Sequence, residues 1–171
     1  MDQGQQRSLG IEIAERAQAG KTAGVIKANK NCFEDILKTA LAEIGLDAVV
    51  SGILQGPPRW AAETLRYIGY LGPHRDALAT RAAADPEAAF YALYYGADVG
   101  SHRDELVAAT AGDPAWAHMT LREVADLGNH RESLLAAVAK DPSSARFTLE
   151  QVPDLGGHYE AIAAAAGRSA P

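Results

Sequence analysis

Apolar residues recur along most of this chain at two nested spacings. Within short segments they fall at i, i+4 and i+7, as in Ala117, Leu121 and Val124, which lines one face of a helix. Between segments the same columns return 28 residues later: Ala61, Ala89, Ala117 and Ala145; Leu65, Leu93, Leu121 and Leu149; Ile68, Gly96, Val124 and Val152. A second stripe keeps that period, Leu78, Leu106, Leu134 and Ile162, with Ala82, Thr110, Val138 and Ala166 four residues further on. Self-similarity at a fixed period marks a repeated supersecondary unit, and each unit here holds two helices.

The punctuation between stripes repeats as well. Pro58, Pro86, Pro114 and Pro142 are 28 apart, and Asp85, Asp113 and Asp141 precede the last three, which sets a carboxylate at a helix N-cap and proline at the first helical position. The column Gly72, Gly100, Gly128 and Gly156 is expected one position past that first helix, in the left-handed conformation that ends it. The second helix is expected to open on capping boxes, Ser101-His102-Arg103-Asp104 and Asn129-His130-Arg131-Glu132. One such hairpin cannot bury its apolar face, but stacked copies can.

The fold expected is therefore all-α, a right-handed α-solenoid of about four to five helical hairpins in one domain. Residues 58–171 hold four repeats. Residues 31–57 read as a degenerate one, because Phe33, Leu41, Ile44 and Gly45 match Trp60, Ile68, Leu71 and Gly72 at an offset of 27, with Asp47 where the others have histidine. Residues 1–30 carry an amphipathic helix over 8–19, then a basic loop.

The pattern of Asp-Pro, then Leu-Gly with its glycine fourteen residues after the proline, then a short Leu/Ala helix resembles the HEAT-like repeats of the phycobilisome-lyase type, over residues 58–169. The resemblance implies an architecture used mostly for protein-binding scaffolds, with a minority of enzymes.

Composition narrows the setting. Aromatics are 6% of 171 residues, so Leu, Ile, Val and Ala must build the core. The net charge of -6 disfavours broad nucleic-acid binding. Cys32 is the only cysteine and has no intramolecular partner, and the first residues lack the basic start and apolar run of a signal peptide. No run approaches the roughly 18 consecutive apolar residues of a membrane span. A soluble cytoplasmic protein is expected, with no membrane association.

Candidate chemistry is sparse. Gly20-Lys21-Thr22 lacks the earlier glycine of a phosphate-binding loop, where Glu15 stands instead. His74, His102, His130 and His158 share one column, each followed two residues later by an acid: Asp76, Asp104, Glu132 and Glu160. HEAT-like deoxyhypusine hydroxylases hold two irons with His-Glu pairs, but here a residue intervenes, and positions i and i+2 of a helix face apart. Equivalent histidines of neighbouring repeats also stand about a helix spacing apart, too far to share an ion. The column is expected to be structural and metal-free, the imidazole bonding the preceding turn or the neighbouring repeat while the acid caps the helix. Arg75, Arg103 and Arg131 form an adjacent column, which counts with the tyrosines as candidate interaction surface; an anion-binding edge is the alternative use of it. Arg16, Lys21, Lys27 and Lys30 make a small basic loop, a solvated segment or a contact for an acidic partner or nucleic acid.

Aromatics gather in two repeats. Tyr67 and Tyr95 share a column whose later members are Glu123 and Gln151, so that position faces water in the C-terminal half. With Tyr91 and Tyr94 they form either a contact surface or packing beneath the N-terminal segment. Gly96 sits in a column otherwise filled by Ile and Val, where close packing should make Gly96→Val destabilising. The last helix carries no charge between Glu160 and Arg168, which is read as alanine simply left exposed, with self-association or docking of a partner through its alanines as the alternative. The function expected is a non-enzymatic interaction module without a cofactor, its protein partner unknown and nucleic acid disfavoured; the alternatives are an anion or nucleic-acid binder and a HEAT-like metalloenzyme.

Overall fold

The computed structural model describes residues 34, 37–38, 40–42, 45–95 and 99–167. The expectations for the 8–19 helix, the Gly20-Lys21-Thr22 segment, Arg16, Lys27, Lys30, Cys32 and Gly96 lie outside them. Among the described residues there is no strand, and helical positions at 34, 37–38 and 40–42 lead into a succession of helices. These are α1 (Leu46–Ile53), α2 (Pro58–Tyr67), α3 (His74–Ala83), α4 (Pro86–Tyr94), α5 (Arg103–Thr110), α6 (Pro114–Glu123), α7 (Arg131–Val138), α8 (Pro142–Gln151) and α9 (Tyr159–Ala165). Short 3-10 turns, Gly100–His102, Gly128–His130 and Gly156–His158, precede α5, α7 and α9.

Each even-numbered helix starts on its proline, and three are closed by the preceding aspartate. Asp85 accepts from the Ala88 N–H at 2.9 Å, Asp113 from those of Ala115 and Trp116 at 2.9 and 3.3 Å, and Asp141 from that of Ser144 at 2.7 Å. The Ser144 N–H, followed by the Ser144 hydroxyl, holds the Asp141 carboxyl below its usual range. In α2 the cap position is Pro57, which offers no side-chain bond.

Three local expectations are corrected. The Ile68, Val124 and Val152 column does not continue the helix: these residues are extended, with φ near -105, -100 and -105°. Val124 and Val152 are still buried, so the column belongs to the core although the helix has already ended. The Gly72, Gly100, Gly128 and Gly156 column does adopt positive φ, between 50 and 54°, but several residues beyond the helix, where it turns the chain into the next one. The capping boxes do not form: His102, His130 and His158 precede α5, α7 and α9 without a side-chain cap bond.

The helices pack in sequence order. From α2 to α6 each touches the next helix and the next but one, and α7 and α8 each touch the next. Thus α2, α4, α6 and α8 form one row, the A helices, and α3, α5, α7 and α9 follow as the B helices. Ala61, Ala89, Ala117 and Ala145 are all fully buried, and a methyl side chain there lets the helices approach closely. Leu78, Leu106, Leu134 and Ile162 are likewise fully buried, each worth about 1.5–3 kcal/mol of apolar transfer. Two buried hydroxyls are satisfied within their own helices: Thr64 and Thr120 donate to the carbonyls of Trp60 and Trp116, four residues back, at 2.7 and 2.8 Å. At the last helix Ala163 and the capping Ala166 are buried and Ala161 and Ala164 exposed, so only part of the alanine face offered for self-association is open.

Candidate interaction surfaces

The histidine column lies between repeats. His74 Nε2 is 2.7 Å from Asp47 Oδ1, His102 Nε2 3.5 Å from Asp76, and His130 Nε2 3.8 Å from Asp104; His158 Nε2 meets Glu132. Asp76, Asp104 and Glu132, each two residues after a histidine, therefore serve the histidine of the next repeat and do not cap their own helices. Asp47, which stands near the histidine position in the degenerate repeat, supplies the first carboxylate of this series. His102 also meets Glu105 through Nδ1 at 2.8 Å. Among the described residues no three His, Cys, Asp or Glu side chains converge on one point.

The arginine column runs beside it. Arg103 donates to the Asp126 carbonyl at 2.7 Å and Arg131 to the carbonyls of Pro153 and Asp154. Arg75 lies along the turn at Gly100, where an added Cβ would be 3.7 Å from its Cδ. These side chains bridge one repeat to the turn of the next, which removes guanidinium donors from the edge where an anion would have to bind.

The tyrosines are brought together on the A helices, apart from that edge. Tyr94 stacks on Phe90 at 5.4 Å and Tyr91 on Tyr95 at 5.5 Å, pairs that follow from their i, i+4 spacing on α4. Trp116 on α6 closes on both Phe90 and Tyr91. From α2, the Arg59 guanidinium covers the Tyr91 ring at 4.3 Å and Arg66 covers Tyr95 at 3.7 Å and Tyr67 at 4.7 Å. Arg59 also pairs with Glu87, and both arginines lie 3.8 Å from the buried Glu63 carboxylate. Partial burial, with Glu63 adding to it, raises the pKa of the Tyr67 and Tyr95 hydroxyls. Tyr94 keeps 49% of its surface exposed, so the cluster reaches solvent.

Sequence reasoning misses two parts of this surface. The column Glu63, Tyr91, Met119 and Phe147 carries the apolar strip onward to α8, where Phe147 is 49% exposed. The 28-residue period is sufficient to find it. The fifth histidine, His118, lies outside the histidine column and is buried on α6. Its Nδ1 is 2.9 Å from Thr148 Oγ1 on α8 and its ring 6.1 Å from that of Phe147. Burial, then the Arg122 charge, lowers its pKa, with Glu123 opposing. Set against protein-family models, curated proteins and solved structures, the chain matches none. Among the described residues no helix is long and apolar enough to cross a membrane.

Proposed function

We propose that this chain is a right-handed α-solenoid of short HEAT-like hairpins and acts as a non-enzymatic module that binds a protein partner on its A helices. One observation carries the reading. On the A helices Tyr94 and Phe147 are each 49% exposed, and Trp116 packs on the cluster that holds Tyr94, while Arg103, Arg131 and Glu132 of the histidine edge are engaged in joining one repeat to the next. Aromatic rings offer large contact area at small entropic cost, which is why they dominate protein-binding surfaces.

Affinity capture from the native host with mass spectrometry identifies the partner, and titration of purified variants tests the surface. Tyr94→Ala with Phe147→Ala is expected to weaken binding by at least about tenfold, since truncating a central aromatic anchor costs on the order of 2 kcal/mol. Asp104→Ala, on the opposite edge, should leave binding within about twofold. Equal loss from both variants, or loss from Asp104→Ala alone, refutes the assignment.

A further inference from the structure

His118 has no equivalent in the other repeats. Its column holds Ala62, Phe90 and Arg146, so neither the helix nor the repeat requires an imidazole there. It is 6% exposed, and its partner Thr148 is fully buried. The contact spans α6 to α8 in the interior, where Ala117 and Ala145 are also buried; at the surface Arg122 donates to Gln151 between the same two helices at 2.6 Å.

The Thr148 hydroxyl has a definite role in this pair. In the same column Thr64 and Thr120 donate to the carbonyl four residues back on their own helix, whereas Thr148 meets the His118 ring at 2.9 Å. With the imidazole neutral and its proton on Nε2, the hydroxyl donates to the Nδ1 lone pair. A proton taken from solvent occupies that lone pair. The ring can then only donate, the hydroxyl must rotate to accept, and a net positive charge enters a site screened from water.

We propose that the His118–Thr148 contact is a proton-operated fastener: the neutral pair holds α8 to α6, and protonation of the ring loosens α8 and α9 from the preceding repeats. The surroundings favour the neutral form. On its own helix Arg122 opposes a second positive charge, and Glu123, which favours one, is already paired with Arg122. On α8 the charged residues Arg146 and Glu150 occupy exposed positions, and on α4 the titratable residues are Glu87, the partly buried Tyr91 and the exposed Tyr94. From α5 and α7 the fully buried side chains, Leu106, Thr110, Leu134 and Val138 among them, carry no titratable group. Because Phe147 lies beside the ring, loosening also alters the far end of the aromatic strip. That consequence for binding rests on the proposed A-helix surface; the proton response does not.

The test is amide hydrogen exchange on the full chain at pH 7.5 and pH 5.0, corrected for intrinsic exchange. In the wild type, opening of α8 and α9 relative to α2 and α4 should rise at the lower pH, by up to about thirtyfold at pH 5.0, the limit that a reference pKa of about 6.5 sets. His118→Phe, which places in α6 the residue that its column holds in α4, should abolish that difference. An unchanged wild-type pattern, or a His118→Phe protein that keeps the response, overturns the proposal. An NMR titration of the His118 ring in the wild type tests the same point without any variant: a midpoint at or above 6.5 overturns the proposal and a lower one supports it. Loss of the pH response with partner binding unchanged would refute the link to Phe147 and leave the A-helix reading standing.

Discussion

Gly56 is the position where adding one methyl group should do most harm. It lies just before α2, its N–H donates to the Ile53 carbonyl at 3.0 Å, and its own carbonyl accepts from Arg81 at 2.5 Å. A Cβ built there falls 1.9 Å from Cε3 and 2.0 Å from Cζ3 of Trp60. That is about 1.5 Å inside ordinary contact, and the indole is a rigid, buried ring held between α2 and the core. Overpacking of this kind costs about 1–3 kcal/mol, and the backbone is pinned on both sides, so the upper half of that range applies. The reduced freedom of alanine in the unfolded chain returns about 0.4–1 kcal/mol. A net loss of about 1–2.6 kcal/mol should lower Tm by roughly 2–10 °C in a protein of this size. Thermal and urea unfolding followed by circular dichroism measures it, and the same substitution in a Trp60→Leu background isolates the contact. If Gly56→Ala leaves Tm unchanged or raised, or if the loss is as large without the indole, the packing argument is refuted.

Three further outcomes are expected. Asp113→Ala removes the acceptor for two N–H groups at the start of α6 and should cost about 1 kcal/mol in urea unfolding, whereas Asp113→Asn should recover most of it. The His118 ring has a folded pKa below its unfolded one, so below pH 6.5 the unfolded chain binds more protons; stability then falls with pH from 6.5 down to the folded pKa, and the difference between wild type and His118→Phe should show that slope. The Glu132–His158 pair carries a carboxylate 77% exposed, so a double-mutant cycle with Glu132→Ala and His158→Ala should give a coupling below about 1 kcal/mol, and a larger value would mark the pair as more than a surface bridge.

The starts of the A helices are legible in the sequence because their determinants are local: an aspartate and a proline specify the same geometry wherever they fall. The helix ends are less so. Val124 and Val152 fit a helical apolar stripe by spacing alone, and only the packed structure shows that the same side chains remain buried from an extended backbone. The histidine column is visible, but local spacing assigns its acid to the wrong helix, since Asp104 is two residues from His102 in sequence and serves His130 in space. A partner in the next repeat leaves no trace in local spacing. His118 escapes notice for the opposite reason: periodicity draws attention to columns, and a residue that breaks its column is seen only when its neighbours in α8 are in place.

The division of labour between the two sides follows from side-chain reach. On the B side a single guanidinium spans to the next repeat, and Arg131 contacts two successive carbonyls, which the fork of an arginine can do and the single ammonium of a lysine does less well. Lysine in these columns would preserve charge and lose that bridge. On the A side arginine acts through its flat face: Arg59 and Arg66 lie over tyrosine rings, so their positive charge is delivered to the aromatic cluster itself. Further along the same row Arg122 is held instead by Glu123 and Gln151, the residues that replace Tyr67 and Tyr95 in their column. The strip is consequently asymmetric, aromatic and cation-covered at α2 and α4, apolar and hydrogen-bonded at α6 and α8. A partner bound along it meets different chemistry at its two ends, which favours one direction of docking over the reverse.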